Sequence, residues 1–430
     1  MTNQDIFMFF RNLTIVLAGM MLIKYFIFLM LSAVFPVRQE LRRLRTFKRE
    51  LRRTGHIRPY RPGVTVVVPA WNEAVGILRT MASVLESDYP YIELIVVNDG
   101  STDDSQRIVD EFIADFRTRP QPAGHARFVK QFYIPNGGKG RALNYGIQRA
   151  RGKIVLTMDA DSAVDPDAIS NLVEHFRDPE VDAVVGQVRV SNLRGRIVSR
   201  IQQLEYLFGF YFKRAHCVLG AEYIYGGACA AFRKSTTFDK FGLFDEENKT
   251  EDIEMSMRTK FHGLRSVYAE DVICYTEGAA SYMGLINQRL RWKKGRFDTF
   301  IAYRQIFFSW QSRHNKPMSW FILPYALFSE LQLLLEPIGI TLLVTYSLMA
   351  SEYVSLALSM LFIGISYIIV AIFGRRLTLK QRLSLVLLWP FTWPLFYVVV
   401  WIEFHALLRS AHMVLRGGVL EWQKWQREGI

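Results

Sequence analysis

Four runs of about twenty apolar residues stand at the two ends of this chain, and they bound what it can fold into. Ile15 to Phe35 precedes the polar body of the sequence; Leu331 to Ala350, Tyr353 to Phe373 and Leu383 to Ile402 follow it. A helix of about 20 apolar residues crosses a hydrocarbon core of roughly 30 Å. Lys24 interrupts the first run, Glu336 the second, and Pro390 and Pro394 the last. The first run carries no small-residue cleavage site, so it reads as an anchor and not a signal peptide. Met318 to Phe328 is shorter and reads as interfacial, with Trp320 and Tyr325 at headgroup level. The 430 residues are 50% hydrophobic yet 22% charged. Long apolar segments joined to an ordinary globular domain satisfy both figures, and disorder and collagen-like repeats are excluded. Three cysteines, Cys217, Cys229 and Cys274, match neither a disulfide framework nor a zinc pattern, and suggest a reducing compartment.

The formal charge of +13 is not spread evenly. Arg38 to Arg61 holds ten bases against Glu40 and Glu50, so it carries +8. A basic stretch directly after a span marks the cytoplasmic side and lies against anionic lipid. Little aromatic interleaving argues against nucleic acid. The link Gly374 to Arg382, with Arg375, Arg376, Lys380 and Arg382, belongs to the same side. Three later spans then leave the tail outside, although Val414 to Ile430, with Trp422, Lys424, Trp425 and Arg427, reads as a membrane-surface segment. A re-entrant segment near the prolines reverses that parity. The expected organisation is an anchor at 1–36, a basic linker at 37–62, a cytoplasmic globular domain at 63–312, and an interfacial helix, about three spans and an amphipathic tail at 313–430.

The central region alternates short apolar strands with helical patterns. Strands are expected at Val64 to Val68, Glu93 to Val97, Phe128 to Tyr133, Ile154 to Met158 and Val181 to Val190. Helices are expected at Gly76 to Glu86, Asp103 to Phe116, Lys139 to Ala150 and Pro166 to Arg177. This alternation predicts an α/β domain with a mainly parallel sheet, whose ligands bind at the carboxyl ends of the strands. Acids gather at those ends: Asn72-Glu73, Asn98-Asp99, and Asp159-Ala160-Asp161. In a strand Asp159 and Asp161 point to one side, and two such carboxylates suit Mg²⁺ or Mn²⁺. Asn136 to Gly140 reads either as a plain turn or as backbone N–H groups and a lysine offered to phosphate. No G-x-G-x-x-G follows the first strand, which disfavours a dinucleotide oxidoreductase.

Val67-Val68-Pro69-Ala70-Trp71-Asn72-Glu73, Val97 to Asp103, Gly138-Lys139-Gly140, Asp159-Ala160-Asp161, Thr250-Glu251-Asp252 and Gln288-Arg289-Leu290-Arg291-Trp292 occur in that order. Together they resemble the family 2 inverting glycosyltransferases of GT-A nucleotide-sugar fold, in particular the membrane-embedded, polymer-forming kind. The poly-N-acetylglucosamine-forming members are most similar; hyaluronan, chitin and cellulose synthases are more distant. The resemblance implies a UDP-sugar donor, with UDP-N-acetylglucosamine as the best guess, a growing polysaccharide acceptor, translocation of the polymer, and room for a small accessory membrane subunit. It places Pro69, Asn72 and Glu73 near the uridine, Asp99 at the base, and Lys139 near the phosphates. Asp161 becomes the metal ligand with Asp159 in support at the donor. Asp252 becomes the general base, with Glu251 beside it. Gln288, Arg289, Arg291 and Trp292 lie over the diphosphate and the acceptor end. Gly227 and Cys229 lie in a loop lining the acceptor; for Cys229 a small buried core residue is the alternative. Five bases from Arg289 to Arg296, with no acid between them, would meet the anionic donor. A non-processive enzyme using a lipid-linked acceptor is the nearest alternative. The polymer-forming relatives tend to have two spans before the catalytic region, and this chain shows one.

Overall fold

The computed structural model describes residues 3–193, 197–248, 250–349, 351 and 353–416. Its centre is one eight-stranded sheet. The strands are Val64–Ala70 (β1), Tyr91–Asp99 (β2), Ala126–Ile134 (β3), Ile154–Thr157 (β4), Ala163–Val164 (β5), Ala183–Val190 (β6), Ala230–Arg233 (β7) and Ser266–Thr276 (β8). They lie in the order β3-β2-β1-β4-β7-β6-β8-β5. β1 pairs in parallel with β2 and β4, β2 with β3, and β6 with β8. β7 runs antiparallel between β4 and β6, and β5 antiparallel to β8. β1 and β2 are buried along nearly their whole length. Their uninterrupted Val, Ile and Leu runs fit a sheet covered on both faces. The covering helices are Ile77–Leu85 (α2 in chain order), Ser105–Thr118 (α3), Lys139–Arg149 (α4) and Ala168–His175 (α5).

The first half of the domain follows the expected pattern closely; β5, β7 and β8 do not appear in it. β7 is four residues long and starts with two alanines, so it has little strand signal. β8 carries Glu270 and Asp271 mid-strand. Its register against β6 jumps from Gly186↔Ala269 to Gln187↔Ile273, so these acids sit in a bulge and not in regular pairing.

The remaining helices carry the domain toward the apolar ends. Asn3–Thr54 (α1) is one helix of 52 residues that continues through Pro36. The expected linker at 37–62 is therefore helical to Thr54, as its Leu, Arg, Lys, Glu and Gln content favours. α1 lies on Ile197–Val218 (α6). Phe35 contacts Tyr268 with ring centroids 5.9 Å apart, and Arg38 donates to the Val218 carbonyl. Lys234–Phe241 (α7) and Glu251–Phe261 (α8) precede β8, and Tyr282–Ala302 (α9) follows it.

The segment expected to be interfacial, Met318 to Phe328, does not stand alone. A five-residue π turn at Met318–Ile322 runs directly into Leu323–Met349 (α10). Pro324, lacking an N–H, falls just after the junction, and the Ser319 carbonyl five residues before it accepts the Phe308 N–H at 3.0 Å. Val354–Phe373 (α11) comes next. The last apolar run is broken at Leu388 into Leu379–Leu387 (α12) and Trp389–Leu415 (α13), with Pro390 in a first turn. Among the described residues, Met318–Met349 is the one helical stretch long and apolar enough to cross a bilayer; Met360–Phe373 is a shorter apolar stretch. The expected surface segment with Trp422, Lys424, Trp425 and Arg427 lies outside the described residues.

The link between α11 and α12 docks on the domain built around the sheet. Arg375 reaches Glu270 at 3.2 Å and Arg376 reaches Asp167 at 2.6 Å. Glu270 is 1% exposed and also holds Arg214 at 2.6 Å. Burial pushes its pKa up, against the pull of Arg214 and Arg375. Removing one partner of a buried pair leaves an uncompensated charge and costs about 3–5 kcal/mol. Glu270→Gln is therefore expected to lower the unfolding midpoint of the detergent-solubilised protein by several degrees. Arg375→Gln, whose side chain is more than half exposed, is expected to lower it by much less.

Candidate active site

The loops after β1 and β2 are tied to each other. Asn72 has φ +54°, a left-handed conformation that asparagine tolerates. Its Oδ1 accepts from the backbone N–H of Thr102 at 2.7 Å, while its own N–H donates to Ser101 Oγ at 2.9 Å. The Glu73 N–H donates to Ser105 Oγ at 2.8 Å. Pro69 pairs across β1 and β2 with Val97, which fixes the start of this loop. Asp99, 3% exposed at the end of β2, accepts the N–H groups of Gly137 and Gly138 at 2.9 and 2.8 Å. Burial pushes its pKa up, against those two bonds and the charge of Arg141. The glycines of the Asn136 to Gly140 turn thus present backbone N–H groups to a carboxylate of the protein itself.

Asp159 and Asp161 do not lie in a strand. β4 ends at Thr157, and the Ser162 N–H closes a turn onto the Asp159 carbonyl at 3.1 Å. The pair therefore splits. Asp161, 8% exposed, accepts from the hydroxyls of Ser162 and of Thr276 on β8, each at 3.3 Å. Asp159 takes the Lys139 ammonium at 2.7 Å. Lys139, the first residue of α4, also reaches Glu251 at 2.8 Å.

Four charged groups meet there. A Cβ added to Gly227 would stand 2.7 Å from Lys139 Nζ, 3.4 Å from Asp252 Oδ2 and 3.8 Å from Asp159 Oδ1. Gly227 therefore covers the cluster with bare backbone. Burial works against the charge on Lys139, but Asp159, Glu251 and Asp252 outweigh it and hold its pKa well above the ordinary lysine range. Burial pushes Glu251 up, against Lys139, and the neighbouring Asp252 charge adds to the push. Asp252 is in the first turn of α8, where its Oδ1 accepts the N–H of Ile253 at 2.9 Å. Cys229 does not line this space. It is 1% exposed in the sheet core, where a Cβ on Gly186 would meet its sulfur at 2.7 Å. Cys274 beside it is buried too.

The motif on α9 divides between two neighbours. Gln288 accepts from Gln202 on α6 at 2.8 Å. Arg289 is 4% exposed, bonded to Glu205 at 2.6 Å and Glu403 at 3.2 Å, with its guanidinium 4.3 Å from the Trp292 ring centre. Arg289 is therefore a structural ion-pair partner between α6 and α13, and it covers one face of Trp292. Lys293 joins Glu330 and Glu403, each at 2.7 Å; Arg296 joins Glu330 at 2.8 Å, and Lys294 joins Asp298 at 2.6 Å. Four of the five bases expected to face an anionic donor are thus matched by carboxylates from distant elements and the next turn. Burial raises the pKa of Tyr206, and Arg291 lies close enough to oppose that rise.

Sequence reasoning missed three anchors. Glu205 and Glu403 had no local signal, because their partners are 84 and 114 positions away. Gly295 is the third. A Cβ there would overlap the hydroxyl of Thr250, the residue that caps α8. It follows Trp292 by three residues, one helical turn, which is the only hint the sequence offers.

A hard divalent cation fits this donor set. Such an ion takes one or two protein carboxylates and completes its shell with water and substrate phosphate. Asp159 and Asp161 offer oxygens from one turn at a strand end, and Lys139 shows that the Asp159 side already accommodates positive charge. Among the described residues no group of three acids, histidines or cysteines is placed to hold a metal ion, so phosphate oxygens would supply the rest.

Acids at the carboxyl ends of β1, β2 and β4, met by a helix from the far half of the sheet, define a nucleotide-sugar transferase of GT-A fold. Residues 154–404 match the model of glycosyl transferase family group 2, and residues 65–237 that of glycosyl transferase family 2. The chain belongs to the family 2 glycosyltransferases. It is similar to the poly-beta-1,6-N-acetyl-D-glucosamine synthase of Staphylococcus epidermidis, 31% identical over 61% of this chain and 60% of that one. The enzyme of the same description from Staphylococcus aureus strain COL is 32% identical over 56% of each. The chain thus spans about 60% of the length of these curated relatives. A mannosyltransferase from Pyrobaculum calidifontis, solved with GDP-Man and Mn²⁺, covers 91% of this chain and 98% of its own at TM-score 0.55 and 22% identity, which shows the shared fold.

Gly295→Ala is expected to force α9 away from the start of α8 and to lower transfer at least tenfold in a radiolabelled donor assay. Thr250→Ala in the same chain removes the two closest overlapping atoms and should restore part of that loss.

Proposed function

We propose that this chain is an inverting, processive glycosyltransferase that builds a β-linked polymer from UDP-N-acetylglucosamine and passes it across the membrane. One observation carries the reading: the Thr250-Glu251-Asp252 turn is held against Lys139 and Asp159 on one side and the Gln288 to Trp292 helix on the other. In this reading Asp252 accepts the proton of the acceptor hydroxyl as that oxygen attacks the anomeric carbon. The nucleoside diphosphate leaves with the bonding electrons, and Arg291 stabilises its charge. Mg²⁺ or Mn²⁺ at Asp161 and Asp159 would supply Lewis-acid stabilisation of that diphosphate. Asp99 and Asn72, with Glu73 and Pro69, frame the nucleotide pocket. Trp292 offers the acceptor sugar the ring face that Arg289 does not cover. The donor sugar follows the named relatives; no contact in the site selects N-acetylglucosamine.

Membrane insertion is part of the same proposal. Apolar side chains along α10 and α11, such as Leu331, Leu335, Ile338, Leu358, Leu361 and Ile365, face outward, as lipid-facing residues do. The segment from Arg375 to Glu403 begins and ends on the catalytic domain, since Arg375 and Arg376 bind Glu270 and Asp167, while Glu403 binds Arg289 and Lys293. We read α12 and the start of α13 as re-entrant, which returns the chain to the catalytic side. The basic stretch of α1 and the link at Arg375 mark that side as cytoplasmic.

Three measurements test this. Membranes given a panel of radiolabelled UDP-sugars should incorporate N-acetylglucosamine into product of high length that a β-1,6-specific hydrolase degrades; short, lipid-extractable product would favour the non-processive alternative. Asp252→Asn should lower turnover by about 10²–10⁴-fold, the usual worth of a positioned base, with UDP affinity changed little. Full activity in that variant refutes the role of Asp252. In inverted vesicles a single cysteine introduced at Ala411, an exposed position, in a cysteine-free background, should react with an impermeant maleimide added to the cytoplasmic face.

A further inference from the structure

Away from the transfer site, α1 presents Arg38, Arg42, Arg45 and Arg49 at spacings of four, three and four, so they form one stripe along the helix. The stripe forms one wall of a cavity of about 480 Å³. The opposite wall is the turn before β6, with Asp178 and Glu180, and Arg265 at the corner between α8 and β8. The size falls in the range of small-ligand sites, roughly 300–1,000 Å³. None of the lining residues belongs to the catalytic cluster.

The charges in this cavity do not balance. Glu180 is shared between Arg265 at 2.6 Å and Arg49 at 3.2 Å; Asp178 lies 3.9 and 4.0 Å from the same two. Five guanidiniums therefore face two carboxylates. Among the described residues no carboxylate pairs with Arg42 or Arg45. Burial lowers the pKa of Arg42, and the facing charge of Arg265 lowers it further. Like charges held together in a part-buried cavity favour a bound anion. The planar forks of arginine suit tetrahedral phosphate oxygens, which they bind two at a time.

We propose that this cavity binds a phosphate-bearing anion of charge two or more, clamping the basic half of α1 to the corner that follows α8. Because α8 carries Glu251 and Asp252 at its other end, an occupied cavity fixes the far end of the catalytic helix. The ligand is either a soluble phosphate compound or an anionic lipid headgroup; the phosphate chemistry is the same. The inference stands independently of the polymer proposed above.

The test uses the full chain in detergent with UDP saturating the donor site, and inorganic pyrophosphate as the soluble probe by calorimetry. A parallel arm compares unfolding midpoints in phosphatidylcholine vesicles with and without phosphatidylglycerol. Arg42→Gln/Arg45→Gln is the cavity variant, and Arg52→Gln/Arg53→Gln removes equal charge from the same helix outside the cavity. Basal transfer should be unchanged in both. A soluble ligand predicts at least tenfold weaker pyrophosphate binding in the cavity variant alone. A lipid ligand predicts that the gain from phosphatidylglycerol is lost in the cavity variant alone. If both probes act equally on the native chain and the cavity variant, or if the two variants lose equally, the proposal is overturned.

Discussion

Everything that the site does depends on how α9 is seated. On one side Gly295 allows its backbone to press on Thr250, so that the turn holding Glu251 and Asp252 is fixed against α9 about one turn after the Gln288 to Trp292 motif. On the other, Arg289, Lys293 and Arg296 meet Glu205, Glu330 and Glu403 from α6, α10 and α13. Three bases and three acids balance in a largely buried network. Such a network is costly to form and costlier to leave half made, so it specifies one arrangement of helices. The same helix thus touches the catalytic turn and the apolar bundle, and neither can shift alone.

The second constraint is Lys139. Asp159, Glu251 and Asp252 approach one another because a single ammonium stands among them. A buried set of carboxylates without that charge would repel and take up protons. The loop at Gly227 seals the set because it has no side chain to place there. This is also why the aspartate pair after β4 separates: Asp159 turns to the lysine and Asp161 to the hydroxyls of Ser162 and Thr276.

Much of this was legible in the sequence, for local reasons. Strands β1 to β4 and helices α2 to α5 were readable because their apolar runs and periodicities are uninterrupted and their turns carry Gly, Asn and Asp. β7 and β8 were not, since one is too short for a pattern and the other carries Glu270 and Asp271 in a bulge. For the site, the order of motifs along the chain pointed to Asp99, Asp161, Asp252 and the α9 motif. It did not tell which side chains face a ligand. Arg289 looked like a phosphate binder because its partners, Glu205 and Glu403, lie far off in sequence. For Cys229 the resemblance pointed to an acceptor-lining loop and residue type to a buried core position, and its side chain packs into the sheet. The charge of the 289–296 stretch was read from neighbours in sequence, while its neutralisation comes from neighbours in space.

The most direct measurement of this account is a double-mutant cycle on transfer rate between Lys293 and Glu403, which bond at 2.7 Å across α9 and α13. Lys293→Met and Glu403→Gln should each lower turnover strongly, since each leaves the buried network of three bases and three acids one charge out of balance. The double variant should lose far less than the product of the two, because contacting charges in one network couple. Effects that simply multiply, or single variants that turn over normally, would contradict the claim that the bundle holds the catalytic helix in place.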